Sequence, residues 1–554
     1  MKRTAARLGA GALGLAVSQL AVAGTNPYFT PLTQSTAVAS PNQINELNSP
    51  WQAPAGISQQ NLMSMKEVEA DVTQSIQRVE AGTSSSMFDM LAYDPTGQYL
   101  FIPHETPFGA GVSRYDTLND RNELLFAGDQ EGGTDAACDS DPLEPRDPTT
   151  ACPAWDFDFG AFDPARWTPN NTVIAAEEWS GLGRVVEILN PLAPAPADPT
   201  ATSLVDGVDY RVLNSIAKVS HEGINFSKKN PNRVIFFIDE WNSGSIYKLV
   251  LKRDGDYAGG GQTFVLSVDA FAATGGDPTA NWNEGPNLTA AREGRATWVP
   301  ITDGDGNPLP GITNPFRDGP TNDPRTNADT RGGRPAADEV GGTPYGRPED
   351  MENVILPNGN EMLYLTVTSE SSVISIELVS SRRAIVRYFV TPETPKNLGF
   401  PGTTGEIDSP DNLALDALGN IYIIEDNPNS GDVGGDIWFA RDTDADGVAE
   451  SLDHFMSLQV NGSESTGMMF HPTDPTRFVV AVQHPTSTDL SIVPEGFGDA
   501  VWEFDITGVV PPTCDAERGN WPVYNWNIRR WVSTCSSDED FNFVRQLERL
   551  GRPH

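Results

Sequence analysis

Six stretches of the chain repeat one order of residues: a turn bearing Pro, Asn or Gly, then a β-branched or aromatic run, then groups able to ligate. They are 94–105 (ending His104-Glu105), 168–178 (ending Glu177-Glu178), 230–240 (ending Asp239-Glu240), 356–368, 416–426 (ending Glu425-Asp426) and 471–484 (ending Gln483-His484). Apolar runs this short, bounded by hairpin-type turns, predict strands and not helices. Their last residues are 73, 62, 128, 58 and 58 positions apart. Four strands with their turns fill an interval of roughly 60 residues, so the long interval holds one unit plus an insertion. Residues 255–345 supply it, being rich in Gly, Pro, Asn and Asp with Trp282 and Trp298 as isolated anchors. Repeats of this kind close into a propeller, which leaves only short protected edges. The expected fold is all-β: a six-bladed β-propeller over 87–505 with a long loop insertion. An N-terminal arm over 24–86, in which 65–80 forms a short amphipathic helix, and a C-terminal extension over 506–554 flank it.

A second polar motif precedes each run. These motifs are Asp89, then Asp156 and Asp158, then His221-Glu222, Arg347-Pro348-Glu349-Asp350, Ser409-Pro410-Asp411-Asn412 and Glu464-Ser465-Thr466-Gly467. Equivalent positions of successive blades face one central channel, so a carboxylate present once per blade becomes a ring. Such a ring repels itself unless cations fill it. Hard oxygen ligands in this number select calcium or magnesium over softer metals, and a wide, flexible cage favours calcium. The bland alternative is that Asp and Glu merely flank strands as turn residues.

A separate metal pattern lies at Asp442-Thr443-Asp444-Ala445-Asp446-Gly447, followed by Glu450 and Asp453. Carboxylates at alternate positions, a glycine sixth and an acid twelfth match the calcium-loop template, giving Asp442, Asp444, Asp446 and Asp453 as ligands. Its flank 436–440 reads as a strand, which predicts a structural calcium loop at a blade edge. The chain has no Gly-x-Ser-x-Gly, no P-loop and no His-Glu-x-x-His, which removes the hydrolase chemistries those motifs carry.

Charge and cysteine usage narrow the setting. Lys2 and Arg3 precede an apolar stretch ending in Ala21-Val22-Ala23, the pattern of a signal peptide over 1–23, so a periplasmic or secreted protein is expected. Without that segment 34 basic residues face 76 acidic ones, a formal charge of −42. Such a surface repels nucleic acid and anionic lipid, and no run is long enough for membrane insertion. A monomer is expected. Cys138 with Cys152 and Cys514 with Cys535 form two sequence-local pairs suited to disulfides outside the cytoplasm.

The ordered series His104-Glu105, Glu177-Glu178, His221-Glu222-Gly223, Asp239-Glu240, Arg347-Pro348-Glu349, Ser409-Pro410-Asp411-Asn412, Glu464-Ser465-Thr466-Gly467 and Gln483-His484-Pro485 resembles the PhoX-type alkaline phosphatases over about residues 88–505. The resemblance implies a six-bladed propeller that hydrolyses a small phosphorylated substrate, with several calcium ions and iron in its channel. It implies Glu105, Glu178, Glu222, Glu240, Glu349 and Glu464 as metal ligands, with Asp239 and Asp411 beside them. Arg347 would hold the phosphate, since a guanidinium fork pairs two of its oxygens, and His484 would steady the transferring group. The family motif places a cysteine, an iron ligand, directly before the Glu-Glu pair, where this chain has Ala176, which puts iron in doubt. A lactonase-like propeller hydrolase and a non-catalytic calcium-stabilised binding protein are the competing readings.

Overall fold

Each of the six apolar runs is a strand in the computed structural model. The structure describes residues 29–37, 49–72, 86–132, 155–179, 181–202, 209–317, 332–417, 419–426, 435–460, 463–483 and 496–507, and the backbone of 523–525 and 530–532. The runs lie second in antiparallel meanders, where both backbone edges are satisfied and both faces are covered. The first sheet joins Ala92–Tyr93, Tyr99–Pro103, Gly111–Asp116 and Arg121–Ala127, and the second joins Phe162–Trp167, Val173–Glu177, Val185–Ile188 and Tyr210–Val212. A nine-stranded sheet follows. It runs through Ile224–Phe226, Val234–Ile238, Ile246–Leu251 and Gly261–Val268, then across Gly294–Pro300 to Arg383–Val390, Ser372–Leu378, Glu361–Val367 and Pro348–Ile355. A further sheet holds Pro410–Leu415, Ile421–Glu425, Asp436–Arg441 and Ser451–Leu458, with Trp51–Gln52 on its edge. In another, Glu464–Phe470, Arg477–Gln483 and Ala500–Asp505 are completed by Ser58–Ser64 from the N-terminal region.

The arrangement is all-β and propeller-like. Apolar clusters lie between successive groups of strands, as between Phe126 and Phe162, between Ile174 and Phe237, between Phe236 and Leu365, between Tyr364 and Ile423, and between Phe439 and Phe478. The last sheet packs back on the first through Met63, Leu100, Ile102, Val479 and Val501. Burial of such side chains contributes about 1.5–3 kcal/mol each and is the main force closing the ring. Among the described residues no helix is long and apolar enough to cross a membrane.

Three expectations change. The N-terminal arm is partly built into the sheets, since Ser58–Ser64 pairs with Ala500–Asp505. The helix expected over 65–80 covers Met65–Asp71, capped by Ser64 Oγ accepting from Glu67 N at 3.3 Å, and 73–85 lie outside the described residues. The insertion begins after 268, because Gly261–Val268 is a full strand of the sheet. The expected signal peptide and all four cysteines fall outside the described residues.

Candidate metal centre

One backbone device recurs around the channel. Glu105 N donates to Met87 O at 3.0 Å, Glu178 N to Ala161 O at 2.8 Å, Glu240 N to Ser220 O at 2.8 Å, Thr368 N to Arg347 O at 2.9 Å and Asp426 N to Ser409 O at 3.0 Å. Two residues beyond each acceptor stands a carboxylate: Asp89, Asp163, Glu222, Glu349 and Asp411. The hydrogen bond therefore ties the acid that begins the first strand of a unit to the residue that ends the second. Met87, Ala161, Arg347 and Ser409 adopt φ of 53°, 47°, 48° and 43°, a left-handed backbone that costs a non-glycine residue about 1 kcal/mol or more. Strand register slips just after it, between Phe162 and Ala165, Pro348 and Met351, and Pro410 and Asn412. These bulges contain Asp163, Glu349 and Asp411 and re-aim their side chains.

The carboxylates thus gathered can form cation sites. Ligand oxygens lie within 4.8 Å of one another in the groups Asp89, Glu105 and Asp163; Glu178, Glu222 and Glu240; and Glu222, Glu349 and Asp411. Glu222 belongs to two of them. Burial, then the charges of Asp411 and Glu105, pushes Asp89 well above the usual carboxylate range, and burial, then Asp89, does the same to Asp163. Glu178, Glu222 and Asp411 are raised by burial first and then by Glu240, Glu349 and Glu349 respectively. Burial pushes Glu349 up to about 7, with Arg347 opposing. Asp426 is raised by burial and by Glu464, which accepts from Gln483 Nε2 at 3.2 Å. Among the described residues no hydrogen-bond donor reaches Oδ1 of Asp89 or Oδ1 of Asp163. Buried oxygens of this kind need a partner, and a divalent cation fits donors of this chemistry.

Arg347 places a cation within the acidic ring. Its Nε lies 2.5 Å from Glu240 Oε1 and 3.1 Å from Glu349 Oε1. Those two acids hold the guanidinium above its ordinary value, Glu349 first. Burial would raise Glu240, but Arg347 holds it below the usual range. The side chain of Arg347 remains 38% exposed, enough for a further ligand to reach it.

The structure places the other expected residues as follows. Asp239 joins none of the carboxylate groups: it is fully buried against Arg334, Nε to Oδ2 2.6 Å, and accepts from Ser220 N at 3.1 Å. His484 lies outside the described residues. His104 is a satisfied core histidine between Ser86 and Ser113, and burial pushes it down to about 3, as it does His221. Ala176 packs in the apolar cluster with Ile174 and Val185 and offers no ligand. In the separate loop, Asp442, Asp444 and Glu450 come together, with Gly447 at φ 85°. Asp446 Oδ1 accepts from Val448 N at 2.9 Å. Asp453, expected twelfth in that loop, lies instead in the strand Ser451–Leu458, paired with Arg441 at 2.9 Å, and Glu450 takes its place.

Sequence reasoning missed Asp163. It chose Asp156, which is exposed, and Asp158, which clamps a loop by accepting from Gly109, Gln130 and Gly132. The signal that finds Asp163 is its position two residues after the acceptor paired with Glu178 N.

A family model described as alkaline phosphatase PhoX matches residues 208–486. The solved structure of PhoX from Pseudomonas fluorescens in complex with vanadate, a transition state analogue, is 15% identical with a TM-score of 0.52, covering 86% of this chain and 98% of its own. A gluconolactonase from Xanthomonas campestris is 8% identical with a TM-score of 0.36, covering 87% of this chain and 99% of its own. At these identities the first likeness shows the fold alone. No curated protein matches the chain in sequence.

Proposed function

The chain belongs to the PhoX family of alkaline phosphatases, and on that premise we propose that it is an exported phosphomonoesterase working at a calcium-rich centre in a six-bladed propeller. The blade count is supported by reading the nine-stranded sheet as two four-stranded blades bridged by Gly294–Pro300. Export is supported by the signal-like segment 1–23.

The observation that carries the reading is one cationic side chain, Arg347, set between Glu240 and Glu349 in a ring of otherwise repeated carboxylates. Asp89, Glu105 and Asp163 would hold one calcium ion. Glu178, Glu222 and Glu240 would hold a second, and Glu349 with Asp411 a third that shares Glu222. Donors limited to hard oxygens suit calcium, and with Ala176 in the apolar core the thiolate that would anchor iron is missing. Bound divalent cations neutralise phosphate oxygens and lower the pKa of water at the site.

The chain's own residues do the rest. Arg347 pairs with its acids through Nε, which leaves the Nη side to fork onto a phosphate. The acids that flank it fix the guanidinium plane, so the anion is received in one orientation. His484, at the end of the last run, would donate to the transferring group. The Asp442, Asp444 and Glu450 loop would hold a structural calcium away from the channel.

Elemental analysis of the purified full chain together with hydrolysis of p-nitrophenyl phosphate tests this. Several calcium ions, little iron and activity that needs calcium are expected. Calcium without phosphomonoesterase activity would overturn the catalytic reading in favour of a binding protein, and stoichiometric iron would overturn the assignment of the metal.

A further inference from the structure

Glu370 stands at the end of the short turn Thr368–Glu370, next to the position where the fourth unit carries Thr368 and not a carboxylate. Its side chain is 4% exposed and holds three partners from distant parts of the chain. Oε1 accepts from Gly346 N at 2.8 Å and from Arg292 Nη1 at 2.5 Å, and Oε2 accepts from the Tyr388 hydroxyl at 3.0 Å. Arg292 belongs to the insertion, and its guanidinium lies 5.3 Å from the Trp282 ring centre. Trp282 is docked in turn by Nε1 on Asn242 Oδ1 at 3.0 Å and by its N–H on Ser243 Oγ at 2.7 Å. Asn242 pairs with Gly346 in the two-stranded ladder beside Arg347. A Cβ at Gly346 would meet Trp282 Cε2 at 2.6 Å, so the indole closes directly over the backbone that precedes Arg347.

These contacts surround a strained residue. Arg347 has φ 48°, its N–H donates to Trp241 O at 3.2 Å and its carbonyl accepts from Thr368 N. The Tyr345–Gly346 peptide, one residue before Arg347, is held by Glu370 alone among side chains with a described hydrogen bond to it. We propose that Glu370, with Trp282 and Arg292 of the insertion, is the positioning element that aims the Arg347 guanidinium at a phosphate. The insertion is then part of the phosphate site, acting through backbone geometry and not by touching substrate. The proposal rests on the phosphatase reading above.

The test is a double-mutant cycle on the full calcium-loaded chain with p-nitrophenyl phosphate as substrate and inorganic phosphate as inhibitor. Misaiming a substrate clamp costs on the order of 10–100-fold. Glu370→Ala and Trp282→Ala should each raise KM and the phosphate inhibition constant within that range, with calcium content unchanged. Glu370→Gln keeps an oxygen for Gly346 N and should recover most of the loss. In an Arg347→Ala background neither change should weaken phosphate binding further, because nothing remains to aim. Multiplicative losses with Arg347→Ala, or unchanged KM and inhibition constants in folded Glu370→Ala and Trp282→Ala, overturn the positioning role and leave the phosphatase reading intact. A wild-type chain that neither hydrolyses the ester nor binds phosphate overturns both.

Discussion

Chelation of calcium from the full chain should lower its melting temperature by roughly 10 °C, a magnitude that follows from the packing of the channel acids. The ligand oxygens of the three channel groups lie within 4.8 Å of one another. At that separation two carboxylates repel by about 3 kcal/mol at an effective dielectric constant of ~20. The empty channel escapes part of this by keeping protons on Asp89, Asp163, Glu178, Glu222 and Asp411. A cation present at about 1,000 times its Kd adds about 4 kcal/mol by binding the folded state alone. For 554 residues, an unfolding entropy of about 2 cal/mol/K per residue converts this to roughly 3–4 °C for each ion. Three channel ions give the stated total. Calorimetric melts in excess calcium, excess magnesium and excess chelator measure it, with magnesium expected to restore less because it demands a tighter cage. A melting curve unmoved by chelator would refute the premise that these buried acids are held together by cations.

Arg347→Ala should lower kcat/KM by roughly 100–1,000-fold, the range seen when a charge-stabilising donor is removed, while the melting temperature in calcium changes little, as steady-state kinetics beside calorimetry would show. Asp163→Asn should weaken calcium binding by about 10–100-fold, read by calcium titration; an unchanged isotherm would remove Asp163 from the ligand set. In excess chelator, stability should fall as pH rises between about 4.5 and about 7: Glu349 is raised to about 7 when folded, so the native state retains a proton that the unfolded chain has lost. Thermal melts across that window check the slope, which calcium should abolish. Asp453→Asn should cost about 3–5 kcal/mol by stranding the buried Arg441 without altering loop calcium, whereas Glu450→Gln should do the reverse.

The strand positions were legible because each run is short, apolar and framed by turn residues, a local signal that tertiary context reinforces. The acids that end or begin those runs were legible for the same reason: Glu105, Glu178, Glu240, Glu349 and Asp411 stand where a strand meets a turn. Pairings between distant segments left no such mark. Nothing in Ser58–Ser64 says that its partner is Ala500–Asp505, since edge pairing depends on the closing geometry of the ring. The strand Gly261–Val268 was hidden by its glycine-rich flanks, and what keeps it in the sheet is pairing with Ile246–Leu251 on one side and Gly294–Pro300 on the other. Asp239 matched the repeat pattern but its charge is taken up by Arg334, a residue 95 positions away whose approach no spacing rule anticipates.

The backbone device around the channel explains both the regularity of the ring and the exception at Arg347. In four described units the residue accepting the second-strand N–H is uncharged, namely Met87, Ala161, Ser220 and Ser409, and acids stand at both ends of the hydrogen-bonded pair: Asp89 with Glu105, Asp163 with Glu178, Glu222 with Glu240, and Asp411 with Asp426. In the unit that begins with Pro348–Ile355 the acceptor is Arg347 and the second acid is replaced by Thr368, whose hydroxyl donates to Pro410 O at 2.8 Å. At these positions that unit carries Glu349 and Arg347, a formal charge of zero, where each of the four units just named carries two negative charges. An anion approaching the channel therefore meets least repulsion there, beside the Arg347 guanidinium. The backbone device is common to these five units; the place where the proposed phosphate would enter follows from two side-chain replacements on that common frame, both within reach of Glu370 and the insertion that docks on it.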